Sequence, residues 1–456
     1  MMIREVCFVV LLAIFAGAVR AQTPPASPGP QGPGAQTRQS PTFDLGDFGV
    51  RLQPDARLII VMASLDAAGF DPTPPGRQLS PFRALVRNDQ ANLDSGLRER
   101  LKSFFERHKL PAPATPADQA ARYVSLAYAL GPPPLLEAPE RSDDLPGGVL
   151  DVLDFAPLVR EFYKKSGIDE RLASYLRAYQ AEGDRLRQPA AEMVRALLSY
   201  LHTRPITVTT ERVRVKSPDK KKNAPTAYTT VEHERRFFIV PDLLATPGAI
   251  NFRVITDDYY AIVPEGTEPT SSELRRAYLQ YVIDALVLHF NKEVAGRREQ
   301  IKQLIEARTK EGAEVSPDVF LLVSRSLVAA ADIRYEESAR LAELARIQRR
   351  RLQQAKDDAA RAAIGREAQT ARAAIADEAT ARLAEDYEKG AVLDFYFADQ
   401  LRDVQVSGFD IGNFLGDMIA GFDPAPSRAD FTCSAGRTTV GCSPFSTSYS
   451  ISDTTR

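Results

Sequence analysis

The sequence predicts an α+β protein, predominantly helical, with a small antiparallel sheet between an N-terminal helical half and a C-terminal helical half that carries a long Ala/Arg/Glu-rich arm. Three observations predict it. Apolar residues recur at helical spacing from Ser80 to about Thr203. β-Branched and polar residues alternate from Pro205 to Gly266, and helical spacing returns at Ser271 and holds nearly to Val406.

Taken in order, Met1–Ala21 reads as a secretory leader. Val6–Ala18 is an apolar run of thirteen residues, and Ala18-Val19-Arg20-Ala21 precedes Gln22, which places cleavage between Ala21 and Gln22. The run is short for a membrane span, and Cys7 lies inside it rather than at the junction, which argues against a lipid anchor. No later segment is long and apolar enough to span a bilayer. The expectation is an exported chain, periplasmic or extracellular, with no membrane span after cleavage. Residues 22–42 are a Pro/Gly/Ser/Gln tether without the apolar side chains that would offset ordering entropy. The tail, 423–456, holds Cys433 and Cys442, and an even pair in an exported chain reads as one local disulfide.

Residues 43–204 form the predicted N-terminal helical domain. Arg57–Asp71 is almost wholly apolar, either a strand or the start of a buried helix, and periodicity alone leaves both open. Leu97, Leu101, Phe104, Phe105 and His108 make one helical stripe. Further helices follow from Ala117, around Pro157–Ser166, over Asp169–Arg187, and then from Ala190, with Pro189 suited to the first turn of the last. His108 and His202 fall near helix ends, where a histidine complements the dipole.

Residues 205–338 combine the sheet with core helices. Pro205–Val215, Ala227–Leu244 and Ala249–Gly266 read as three or four antiparallel strands, with turns at Pro218–Pro225, Thr246–Gly248 and Asp257-Asp258. His233 and Glu234 are adjacent, so a strand points them to opposite faces. Residues 339–390 are rich in Ala, Arg, Glu and Gln. Their leucines and isoleucines are too widely spaced for sustained heptads, and Gly365 with its neighbouring alanines allows one long bent helix or a helical hairpin; the reading is an exposed, partly coiled-coil arm. Residues 391–422 are apolar enough to dock on the core.

Composition narrows the chemistry. The chain has 58 Lys and Arg against 60 Asp and Glu, which is not the basic field that nucleic acid demands, and Lys216–Lys222 reads as a solvated loop. There is no glycine-rich phosphate loop, G-x-S-x-G elbow or Ca²⁺ loop. Paired carboxylates at Asp143-Asp144, Asp257-Asp258 and Glu336-Glu337 are expected by chance in so acidic a chain.

Glu273–Val294, "ELRRAYLQYVIDALVLHFNKEV", follows the strands and is apolar enough for a core helix. This order of elements, strands, then a core helix, then a helix bearing acids, resembles a zincin-type metallopeptidase of the HExxH class over Thr207–Arg340. The resemblance implies that the last strand lines a substrate cleft, that the core helix carries two zinc-binding His with a Glu between them, and that a later helix gives a third ligand. In this chain those positions hold Arg276, Ala277 and Gln280, with Glu336 or Glu337 at the third. A guanidinium cannot replace a metal-binding imidazole and Ala277 cannot act as a base. His289 and Glu293, four apart, are the remaining candidate zinc pair, without a third ligand. No cofactor is expected. The reading that follows is a non-catalytic binding protein, taking a protein or extended peptide beside a strand near "DDYYAIVPEG". The alternatives are a cell-envelope adaptor acting through its arm and a hydrolase with an unrecognised constellation.

Overall fold

A computed structural model of the chain describes residues 44–142, 145, 147–214 and 228–423. The leader with its Ala21–Gln22 junction, the tether, Asp143-Asp144, the Lys216–Lys222 loop and the Cys433–Cys442 pair lie outside the described residues. The class is the one expected, α+β and dominated by helix. In order, the elements are β1 (Val50–Leu52), α1 (Ala56–Ala67), α2 (Pro81–Asp89), α3 (Ser95–Arg107), α4 (Pro116–Ala129), α5 (Val149–Val152), α6 (Ala156–Lys165) and α7 (Ile168–Leu201). Then come β2 (Val208–Arg214), β3 (Tyr228–Glu234), β4 (Arg236–Asp242), β5 (Asn251–Ile255) and β6 (Asp258–Pro264). The chain continues through α8 (Ser272–His289), α9 (Asn291–Gly296), α10 (Arg298–Lys310), α11 (Val319–Gln354), α12 (Asp358–Glu388), α13 (Asp394–Ser407) and α14 (Leu415–Ala420).

The ambiguous run at Arg57 is helix. Asp55 caps α1 by accepting from the Arg57 N–H, and every residue from Leu58 to Ala67 is buried. Burial on all sides explains why the segment shows no amphipathic period. α2, α3 and α4 begin at Ser80, Asp94 and Thr115, whose side chains accept from the third helical N–H; Thr115 and Asp118 form a reciprocal box. Pro189 does not start a helix. It lies inside α7, which runs 34 residues without a break. The bond it removes is the one to the Arg185 carbonyl, on an exposed turn where water can serve, while Leu186, Ala190, Ala191, Met193 and Val194 stay buried on the other face.

The antiparallel pairing expected for all the strands holds for two pairs only. β2 and β3 form a separate antiparallel ribbon, and β5 and β6 a hairpin. The main sheet has the order β1-β4-β6-β5, in which β1–β4 and β4–β6 run parallel. Burial accounts for this order. "FFIVP" in β4 and "YYAIVP" in β6 are continuous apolar runs, which suits strands covered on both faces. β5 ("NFRVI") is only partly covered and takes the edge. Phe238, Val240 and Ile262 face the core built by α1 to α7, whereas Phe237 packs on Tyr278 and Tyr281 of α8. The sheet is therefore a middle layer between two helical halves. Between β3 and β4 the buried Arg235 donates to the carbonyls of Ile206 and Tyr281, both at 2.8 Å, tying the ribbon's base to α8.

β1 enters this layer through Gly49, whose φ is 72° and whose carbonyl accepts from Phe237 N at 2.8 Å. A Cβ at Gly49 would run into the Tyr281 hydroxyl, which itself donates to the Arg235 carbonyl at 3.1 Å. Gly49→Ala is expected to cost about 1–3 kcal/mol, from both the left-handed backbone and the clash. Chemical denaturation of the purified variant measures it.

The arm is a hairpin. α11 and α12 are joined at Ala355–Asp357, with Asp357 capping α12 through the Ala360 N–H, and Gly365 simply continues the helix. Ile364, Ala368, Ile375, Ala379 and Leu383 form the buried seam of α12, so alanines supply the close packing that sparse leucines cannot. α13 docks on α11 through Phe397, Ala398 and Leu401, and Arg334 of α11 donates to the Ala398 carbonyl at 2.9 Å. Among the described residues no helix is long and apolar enough to cross a membrane.

Candidate functional site

α8 is the helix on which the sequence placed the degenerate motif. Ser271 caps it, and its burial on two sides, against the sheet and against α11, accounts for its nearly continuous apolar character. It is shorter than "ELRRAYLQYVIDALVLHFNKEV" suggested. The backbone leaves helical geometry at Phe290 and Glu293 belongs to α9. His289 and Glu293 therefore do not share a helix face, and the exposed His289 ring stands edge-on to Phe290. Among the described residues no group of three or more His, Cys, Asp or Glu is placed to hold a metal ion.

The motif positions themselves open onto a cleft of about 400 Å³. Arg276, Ala277 and Gln280 of α8 form one wall, and Leu322, Arg325, Val328 and Ala329 of α11 form another. Ile250 and Phe252 close it from the sheet edge, and Asp386, Lys389 and Gly390 from the end of α12. Gly390 has φ 97°, and a Cβ there would stand 2.6 Å from the Glu314 carbonyl, so only glycine lets the 314–316 segment come this close.

The charge at the back of the cleft is spent internally. Arg276 is bidentate on Asp386, at 3.0 and 2.6 Å, and its Nε donates to Asp332 at 3.0 Å. Asp332, with no exposed surface, also accepts from Arg275 Nε at 2.6 Å, from Arg382 at 3.4 Å and from the Ser272 hydroxyl. Glu336 accepts from Arg275 at 2.5 Å and pairs with Arg382 at 2.8 Å. Three guanidiniums thus meet three carboxylates in one ion-paired network. Burial alone would lower the Arg276 pKa, but Asp386 and Asp332 outweigh it and raise it. Burial likewise pushes Glu336 up, while Arg382 and Arg275 hold it below the ordinary carboxylate value.

Of the two third-ligand candidates, Glu336 sits one layer behind the cleft. Glu337 faces elsewhere, on Arg334 at 2.5 Å. Two acids went unmarked in the sequence, Asp332 and Asp386. Asp332 had a signal: it is the lone acid in the apolar run "SLVAAADIRY", and such an acid is buried only when paired.

Gln280 is equally committed. Its amide donates to Asp284 and, at 2.9 Å, to Ser324 Oγ; Asp284 also accepts from Ser324 and from Tyr259 Oη at 2.8 Å. Burial first, and then the Asp284 charge, raise the Tyr259 pKa, so its hydroxyl stays a donor. Behind Asp386, the buried Asp394 accepts from the Phe395 N–H at 2.7 Å with one oxygen and has no partner for the other. Burial, with a contribution from Asp386, pushes its carboxyl up to about 8. At the rim, Glu273, Glu314 and Arg325 are exposed and have no ion-pair partner among the described residues, and Lys389 pairs with Glu385 at 2.6 Å.

No family model, curated protein or solved structure matches the chain.

The remaining candidates are structural. His108 caps α3, bonds the Phe104 carbonyl at 2.8 Å through Nδ1 and stacks on Phe104, and His202 caps α7 in a left-handed turn. His233 lies 3.4 Å from Glu211 and 3.3 Å from Asp257, whereas Glu234 turns to Arg51. Asp258 is bidentate with Arg236, at 2.9 and 2.7 Å. The cleft is thus a shaped, mostly apolar recess with an ion-paired back wall and a polar rim.

Proposed function

We propose that this protein is a non-catalytic binding protein with a zincin-like cleft, which receives an extended peptide of a partner along the free edge of β5. The observation that carries this reading is the position of β5. The strand near "DDYYAIVPEG" is β6, flanked by β4 and β5, so it is not the open edge expected. Among the described residues the open edge is one strand further out, and Phe252 on it lines the cleft. Thr256-Asp257 closes the β5–β6 hairpin with Ile255 opposite Asp258. In such a ladder the backbone groups of Phe252 and Val254 point away from β6. The Phe252 carbonyl already takes Arg253 Nη1 at 2.9 Å, which leaves its N–H and both groups of the exposed Val254 for an incoming strand.

The back wall supports the same reading. The motif positions line the cleft, yet Arg276 is held by two carboxylates and Gln280 by Asp284 and Ser324, so the wall is rigid and its charge neutralised. A peptide lying on β5 meets the small apolar side chains of α8 and α11 and the free charges of Glu273, Glu314 and Arg325.

Val254→Pro tests this. Proline is tolerated at a sheet edge but removes the outward N–H. The wild-type chain is expected to retain members of a random-sequence peptide library, and the variant to lose that retention, by about tenfold or more, with unchanged circular dichroism. Equal retention by both rejects the edge-strand reading. Turnover of peptide or ester substrates by the wild type replaces it with a hydrolase.

A further inference from the structure

Beyond the cleft, we infer that the tip of the α11–α12 hairpin is a docking surface for an anionic phospholipid bilayer. The first observation is geometric. Ser338 Oγ ties α11 to the body by accepting from Gln405 of α13. From there to Gln354 the helix runs on for sixteen residues, about 24 Å at helical rise, with α12 as its companion. The pairs along this stretch join the two helices to each other, Arg340 to Glu378 at 2.7 Å and Arg351 to Glu367 at 2.6 Å. The tip is a stiff projection.

The second observation is charge. From Arg346 to Arg372 there are eight Lys and Arg against three Asp and Glu, in a chain whose net charge is −2. The three acids are occupied: Asp357 caps α12, Asp358 pairs with Arg361 at 2.9 Å, and Glu367 takes Arg351. Arg349, Arg350, Lys356, Arg366 and Arg372 have no carboxylate partner among the described residues. An unneutralised cluster at the end of a projecting rod, on a molecule whose remainder is acidic, orients the whole chain toward a negative surface.

The third observation selects the surface. Ile347 is 42% exposed, and Arg346, Arg350 and Arg351 surround it on the helix. An aliphatic side chain among long basic ones can enter the headgroup layer while the guanidiniums stay at the phosphates. Between Tyr335 and Tyr387 there is no aromatic residue, so the stacking platform that single-stranded nucleic acid uses is missing.

The test is co-sedimentation of the full chain with vesicles of phosphatidylglycerol and phosphatidylcholine, against phosphatidylcholine alone. Binding to the anionic vesicles only, weakened by salt, is expected. Replacing Arg349, Arg350 and Arg366 together by Gln changes exposed side chains alone, and is expected to weaken binding on the order of a hundredfold. Ile347→Ser, which keeps every charge, is expected to weaken it about threefold or more. Absence of sedimentation, or equal sedimentation of the wild type and the triple variant, overturns the proposal. So does capture by duplex DNA or polyglutamate without binding to vesicles, which gives the patch to another polyanion.

Discussion

Replacing Asp332 by alanine is expected to lower the stability of the folded chain by about 3–5 kcal/mol. Asp332 has no exposed surface and accepts from Arg275, Arg276, Arg382 and Ser272. Without it, three guanidiniums face only Glu336 and Asp386; Arg276 and Arg382 are partly exposed, but Arg275 is buried between α8 and α11. The loss comes less from the missing attraction than from the buried Arg275, which cannot shed its proton and is left without its main carboxylate. Two further variants separate this from simple truncation. Asp332→Asn keeps the shape and loses the charge, and is expected to fall between the wild type and the alanine variant. Adding Arg275→Met to Asp332→Ala is expected to recover part of the loss, since the second change removes the stranded cation. Urea denaturation of all four proteins is the measurement, and an unshifted alanine midpoint would show that the network holds nothing together. Acid is expected to weaken the same network. Glu336 has a depressed carboxyl pKa in the fold, so its contribution is present above the unfolded value near 4.3 and is lost as pH falls through the folded one.

Periodicity was informative wherever burial was one-sided, and misleading wherever it was not. Leu97, Leu101, Phe104 and Phe105 are all buried on one face of α3, as their spacing requires. α1 and α8 are covered on several sides, so their composition announces burial without saying against what. The parallel pairing of β4 and β6 was written in their unbroken apolar runs, but β1 had no comparable signal. It is three residues long and pairs with a strand more than 180 positions away. The hairpin turn was marked by Asp357 before an alanine-rich run, a cap that outweighs Gly365, which a helix tolerates at modest cost. At the cleft, the sequence identified Arg276 and Gln280 as residues unfit for a metal. It could not show what they do instead, because Asp332, Asp386 and Ser324 come from helices far along the chain.

Asp394→Asn is expected to stabilise the protein at pH 7–8 by about 1–3 kcal/mol and to change nothing near pH 4. The sign follows from where the proton resides. Burial, opposed by the Phe395 N–H and reinforced by Asp386, pushes the folded carboxyl up to about 8, against about 3.9 in an unfolded chain. Below pH 4 both states hold the proton and the fold loses nothing. As pH rises from about 4 toward 8, the unfolded chain releases its proton while the fold retains it. Stability therefore declines by up to about 1.4 kcal/mol per unit, and levels off once the folded carboxyl also ionises. Asp242, fully buried and pushed up to about 6, adds a loss of the same sign over the lower part of this window. Asparagine keeps the acceptor for Phe395 and cannot ionise, so the variant's stability is expected to run flatter than the wild type's between pH 6 and 8, the range over which the folded Asp394 carboxyl ionises. Parallel slopes for the two proteins between pH 6 and 8 would mean that Asp394 is ionised in the fold, compensated by Arg276 reaching past Asp386. The same curve thus reports on the cleft, since the charge that helps hold the proton on Asp394 is the carboxylate that clamps Arg276 into its wall.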